Sequence, residues 1–329
     1  MTDKITLEDL KKTQKLIAPY VNKTPFHTWK GFEIDEDLGK DTDAVLKLEL
    51  FQKAGTFKAR GAIVNFMLLT PEQKAKGVTA VSAGNHAIAV AFGAREFDVN
   101  AKVVMIKTAN PARIAAAKAL GAEVIIGEDA RSSFDLVEKI AREEGRTFIH
   151  PFDGRNVALG TGTLGLEFAE EAGPLDALII PIGGGGLASG VSTAFKLVQP
   201  NCKIYGVEPT GADSMKRSFE MGTPQHIVAV QTIADSLGAP MALQYSYDLC
   251  RENIDELCLV EDTELKRAMS MLFREMKLAV EPAGAATTAA LLGPLKNKLQ
   301  GKRVGLIICG ANIDIDTFHQ FVSEGECNY

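Results

Sequence analysis

The chain has 329 residues, 46% of them apolar and 24% charged, with a formal net charge of −6 at pH 7. That length holds two lobes or one large α/β domain around a full core, and the acidic balance excludes the basic stripe a nucleic-acid partner requires. Five cysteines without CxxC spacing, Cys202, Cys250, Cys258, Cys309 and Cys327, exclude a disulfide framework and a cysteine zinc site and fit a reducing compartment.

The first residues, MTDKITLEDLKKTQ, are polar and charged and show no signal-peptide pattern. No apolar run is long enough to span a bilayer, so a cytoplasmic protein without a membrane partner is expected. VLKLEL from Val45 reads as a strand and GAIVNFMLL from Gly61 as a helix. Between them, FQKAGTFKARGA sets Lys58 beside the ring of Phe57 and among small residues. A solvated surface lysine needs neither neighbour. A lysine that must lose its proton and act as a nucleophile benefits from both. With Lys53 and Arg60 it forms a basic cluster too short to bind nucleic acid.

GVTAVSAG then reads as strand plus turn, HAIAVAFGAREF as a helix and AKVVMIK as a buried strand. ARIAAAKALGA is an alanine-rich helix closed by glycine, and EVIIG a further strand. DALIIPIGGGG, a helix from Leu187, KIYGVEP and RVGLIICG continue the alternation. Near-continuous apolar strands alternating with helices predict an α/β fold whose mainly parallel sheet is covered on both faces. No repeat or Gly/Ser linker marks a domain boundary.

In such sheets ligands sit beyond the carboxyl ends of strands, where three turns qualify. SAGNHA, from Ser82, opens a helix whose free amides suit an anion, although Ser or Asn there is also an ordinary cap. Four consecutive glycines, Gly183 to Gly186, weaken any regular element. They favour backbone amides wrapped around an oxyanion, phosphate foremost, ahead of a merely tight turn. In IICGANID, Cys309 ends an apolar run where it is either an inert core thiol or a ligand contact.

Two chemistries compete for these turns. Gly183, Gly185 and Ala188 satisfy G-x-G-x-x-G/A, and Glu208 ends the next strand about where a dinucleotide site places its ribose-binding acid. That NAD-dependent oxidoreductase reading leaves Lys58 and SAGNH without a task. Pyridoxal phosphate has an aldehyde for a lysine, a phosphate for a glycine turn, a ring nitrogen and a phenolic oxygen. Lys58, Gly183 to Gly186, Cys309 and Asn85 offer one partner for each.

On those residues the chain resembles the serine/threonine dehydratase branch of the fold-type II pyridoxal-phosphate enzymes, from about Leu16 to about Glu324. The resemblance rests on TFKARGA, SAGNHA, GAEV at Gly121, HPFD at His150, GTGTLGLE at Gly160, PIGGGGL, GVEP, EPAGAA at Glu281 and CGANID, in the family's order. It implies a two-lobed α/β fold with parallel-rich sheets. A small domain of residues 77–154 is inserted in a large domain of residues 1–76 and 155–329, and the cofactor, pyridoxal 5′-phosphate, lies in the cleft.

The same resemblance implies that Lys58 carries the cofactor as a Schiff base, with Phe57 packed near the ring. Asn85 bonds the 3′ oxygen, Gly183, Gly184, Gly185, Gly186 and Leu187 bind the phosphate, and Cys309 faces the pyridine nitrogen. Ser82, Asn85 and His86 hold the substrate carboxylate, with Ala83 beside them. The implied reaction is β-elimination from a β-hydroxy-L-amino acid, threonine or serine or a bulkier or acidic one, by a homodimer. Racemisation is the alternative within the same fold.

The chain also departs from the family's pattern. Ala83 stands where serine racemases carry a proton-donating serine, so little racemisation is expected. Thr161 replaces a common Gln and Ser236 a common Gly, both expected at the substrate pocket. Glu208 and Ala212 match positions that hold a divalent cation in some relatives, but Ser214 replaces an acidic ligand, and no metal is assigned. His150 is read as a packed turn residue. Glu281 is read as a ring-edge group or a helix cap. No C-terminal effector domain is expected.

Overall fold

The apolar runs form two sheets in the computed structural model, which describes residues 4–82 and 84–326. The strands in chain order are β1 Phe26–Trp29, β2 Asp43–Lys47, β3 Val78–Ser82, β4 Ala101–Ile106 and β5 Glu123–Gly127. They continue as β6 Thr147–Phe148, β7 Ala177–Pro181, β8 Lys203–Pro209, β9 Glu256–Val260 and β10 Arg303–Ile307. One sheet has the order β1-β2-β10-β7-β8-β9 and the other β5-β4-β3-β6.

In the larger sheet β1 runs antiparallel to β2, and the remaining pairs are parallel. The smaller sheet is parallel throughout. Every residue of β7 is buried, as a central strand covered by helices on both faces requires. The parallel α/β architecture read from the sequence is the one observed. The short strands β1, β6 and β9 escaped that reading, because four residues or fewer, or a half-exposed run, give little periodic signal.

Both sheets reverse their winding direction where the chain leaves a strand to return on its other side, at β7/β10 and at β3. Those switch points open crevices at carboxyl ends. The helices Lys58–Met67, Arg155–Glu171 and Gly186–Val198 pack closely behind the larger crevice. GTGTLGLE explains how. A methyl on Gly160 would stand 2.5 Å from the Gly61 Cα, and one on Gly190 2.5 Å from the Gly162 amide. The absence of side chains there lets two helices, one starting at Lys58 and one at Gly186, share one neighbour.

Candidate active site

A cleft of about 140 Å³ collects the carboxyl ends of β3, β7 and β10. Lys58, Ser82, Asn85, His86, the four glycines, Leu187 and Cys309 all line it, as does Phe57. Turns separated by more than a hundred residues therefore meet at one place. Ala83 lies outside the described residues.

Lys58 is the first residue of its helix, and its Nζ donates to the Pro151 carbonyl at 2.5 Å and stands 5.1 Å from the Phe57 ring centre. Burial drives its ammonium down to about 8, opposed by the charges of Cys309 and Glu281. Two residues on, Arg60 points the other way, into the core. It is fully buried and makes paired bonds to Glu49 (2.9 and 2.8 Å) and to Glu167 (2.8 Å each). Lys47 completes a balanced set of two cations and two anions through its own bond to Glu167 at 3.0 Å. Such a set holds geometry because losing one member strands a buried charge, at about 3–5 kcal/mol. The basic cluster seen in the sequence is thus divided: Arg60 anchors the helix, Lys58 faces the cleft and Lys53 is exposed.

The glycine turn follows β7. Among the described residues no acceptor takes up the amides of Gly183, Gly184, Gly185, Gly186 or Leu187, and the helix they open has no side-chain cap. Phe152 explains the missing side chains. A Cβ on Gly184 would overlap the Phe152 ring, 2.6 Å from Cε2 and nearer still to Cγ, and one on Gly186 would stand 2.6 Å from the Phe152 carbonyl oxygen. Gly185 adopts φ 90°, a left-handed conformation that favours glycine. The result is a row of unpaired amides at a helix start, which is an anion cradle.

Around the opposite rim, the Asn85 amide donates to Glu281 at 2.6 Å and to Ser236 at 3.0 Å, and accepts from Asn312 at 2.7 Å. Burial raises the Glu281 carboxyl to about 7 despite its ion pair with Arg113 at 2.8 Å. Arg113, in helix Pro111–Ala119, also pairs with Asp235 at 2.6 Å. The Ser82 hydroxyl accepts from the Gly84 amide at 2.9 Å. His86 is buried, its Nε2 donates to the Ile149 carbonyl at 2.9 Å, and burial followed by the Lys58 charge lowers it to about 3. The ring is neutral, so it offers a carboxylate no charge. Cys309 is buried, its thiol proton goes to the Ala283 carbonyl at 3.3 Å, and burial raises it far above the ordinary thiol range.

Several readings from the sequence change here. Ser236 does border the cleft, but Thr161 lies behind it, donating to the Gly186 carbonyl at 2.8 Å. Glu208 turns away from the crevice and accepts from the Met215 and Lys216 amides at 2.9 and 2.7 Å. That buried carboxyl cannot hold a ribose in the crevice, which removes the acid that the dinucleotide reading required. His150 is a packed residue whose Nδ1 accepts from the Phe152 and Asp153 amides at 3.2 and 2.9 Å. Glu281 stands at the first position before the helix Pro282–Leu292, but its side chain does not cap that helix; it lines the cleft and is taken up by Asn85 and Arg113. Sequence reasoning missed Arg113, Asp235, Phe134 and Phe152. None carries a local motif, and only HPFD hinted at the last.

These residues fit pyridoxal 5′-phosphate. The unpaired amides suit its phosphate, an accessible amine of lowered pKa suits its aldehyde, and a neutral thiol and an amide suit the ring's polar atoms. Residues 17–310 match the family model "Pyridoxal-phosphate dependent enzyme". Phenylserine dehydratase of Ralstonia pickettii is 51% identical over 98% of this chain and 99% of its own. L-threo-3-hydroxyaspartate ammonia-lyase of Saccharomyces cerevisiae is 37% identical over 98% and 97%. The structure of maize serine racemase superposes with a TM-score of 0.88 at 34% identity, covering 97% of this chain and 98% of that one. A cleft built for this cofactor and a match over nearly the whole chain lead to one conclusion: the chain belongs to the family of pyridoxal-phosphate dependent enzymes.

Proposed function

We propose that the protein is a lyase that eliminates the β-hydroxyl from a 3-hydroxy-2-amino acid, releasing a 2-oxo acid and ammonia. The observation that carries this is Lys58, an amine brought to about 8 by burial and facing the same cleft as the unpaired glycine amides. When bound, pyridoxal 5′-phosphate supplies an aldehyde for amines and an electron-withdrawing ring that acidifies the substrate Cα proton.

The protein's own groups do the rest. Lys58 would hold the aldehyde, the Gly183–Leu187 amides the phosphate, Asn85 the phenolic oxygen and Cys309 the ring nitrogen, with Phe57 beside the ring. Cys309, a neutral thiol, adds no charge there, which suits a reaction whose β-substituent leaves. Lys58, substantially neutral near pH 8, is competent to take the Cα proton as a general base. Ser82 and the amides that start the helix Asn85–Glu96 would bind the substrate carboxylate; His86 contributes through its main chain, because its ring is neutral and its Nε2 is committed to Ile149.

For the substrate, we favour a 3-aryl-3-hydroxy amino acid over threonine, serine or 3-hydroxyaspartate. The 51% identical relative is named a phenylserine dehydratase, and the cleft lining includes the apolar residues Ile106, Phe134, Phe152, Leu237, Ala239 and Pro240. An acidic β-substituent would meet Asp235 and Glu281, two carboxyls that share the single positive charge of Arg113. In this reading residues 77–154 form the small domain, residues 1–76 and 155–329 the large one, and the enzyme is a cytoplasmic homodimer.

The test is a screen of L and D, threo and erythro 3-hydroxy amino acids with cofactor-loaded protein, scored by ammonia and keto acid. Borohydride should fix the cofactor to the peptide containing Lys58. Lys58→Ala should lower the rate by at least about 1,000-fold, as loss of both anchor and base implies. A colourless protein, nothing trapped at Lys58, or a product of inverted configuration in place of keto acid defeats the proposal.

A further inference from the structure

We propose that Phe134 is a specificity-determining residue, the wall that selects an aryl β-substituent; this rests on the elimination reading above. Phe134 lies in helix Ala130–Glu144 beside the smaller sheet, among Val81, Val104, Val137 and Ile140. Its neighbours Ser133, Val137 and Ile140 are buried, whereas Phe134 keeps part of its ring accessible and lines the cleft. A ring that served the core alone would have no reason to present a face there.

The ring is held in place by His150. The imidazole centre lies 6.2 Å from Phe134, 5.5 Å from Phe148 and 4.7 Å, edge to face, from Phe152. Because its Nδ1 is fixed by two backbone amides, His150 acts as a rigid hub that sets two phenyl rings at the cleft. Phe152 cannot swing, since it lies on Gly184. The same cleft is lined by Leu237, Ala239 and Pro240 from a segment that follows β8. Two aromatic rings together with aliphatic side chains give the cleft a lining suited to a phenyl group. Edge-to-face or offset contact with Phe134 then adds to simple burial. Threonine's methyl is too small to cover that lining.

The experiment compares cofactor-loaded wild type with Phe134→Ala and Phe134→Leu on 3-phenylserine and threonine. The ratio of kcat/KM for phenylserine to that for threonine should fall about 10-fold to 100-fold in Phe134→Ala, and less in Phe134→Leu, which keeps apolar bulk. Because the ratio is internal to each variant, partial misfolding does not move it. A binding measurement stands beside it: L-phenylalanine and L-alanine lack the leaving group, and the visible band reports their dissociation constants. Wild type should prefer L-phenylalanine, and Phe134→Ala should lose that preference. A ratio within twofold of wild type in both variants, a retained L-phenylalanine preference, or a wild type that favours threonine overturns the role of Phe134. A wild type that releases ammonia from neither substrate overturns the elimination reading as well.

Discussion

Gly184→Ala tests the glycine cradle most directly. The added methyl would stand 2.6 Å from Cε2 of Phe152 and nearer to two other ring atoms, whereas carbon atoms rest at about 3.5–4.0 Å. Ring or loop must therefore yield by more than about 1 Å. The ring is braced by His150 at 4.7 Å, so the loop moves and its amides lose their aim at the phosphate. Overpacking of this kind costs about 1–3 kcal/mol, which as lost affinity is roughly 5-fold to 150-fold. The assay is a titration of apoprotein with pyridoxal 5′-phosphate followed by its visible absorbance. Gly183→Ala should do less, because its nearest neighbour, the Leu237 Cα, is 3.1 Å away. Adding Phe152→Leu to Gly184→Ala should restore part of the loss, a coupling that a double-mutant cycle measures. Affinity within twofold of wild type for Gly184→Ala, or additive behaviour in the cycle, would refute the account.

Two further predictions concern pH. With Lys58 at about 8, roughly a quarter of it is neutral at pH 7.5, against about one in a thousand for an ordinary lysine. Covalent reconstitution of the apoprotein should speed up with pH and level off near 8; a rate still climbing at pH 10 contradicts the lowered value. Glu208 is the opposite case, a carboxyl raised to about 8 chiefly by burial. The folded state then binds more protons than the unfolded one between about 4.5 and 8. The relative stability is present below the lower value and lost as pH rises through the higher. Glu208→Gln should remove that loss, so its advantage over wild type should grow from pH 5 to pH 8, by up to a few kcal/mol. Denaturant unfolding at the two pH values checks it; an advantage that shrinks is the refuting sign.

The parts legible in the sequence were those with local causes. Apolar runs such as ALIIP in β7 and VTAVS in β3 announce parallel strands because every residue in them avoids water. Lys58 beside Phe57, the consecutive glycines, SAGNH and Cys309 were visible because each is a short peptide of unusual composition at the end of such a run. Local chemistry does not say where a side chain points. Arg60, two residues from Lys58, faces Glu49 and Glu167; Glu208, in the position of a ribose ligand, caps its own following helix; Thr161 backs the glycine turn without reaching the substrate space.

By itself, then, the amino-acid order determined the α/β class, most of the strands in their order along the chain and the four short segments that carry the chemistry. Only the tertiary structure decided that Arg113 reaches Glu281 across 168 positions, that His86 is neutral, and that Phe134 and Phe152 wall one cleft. The physical reason is that charge state and orientation depend on burial and on partners far away in the chain, and those partners meet only once the two sheets have packed.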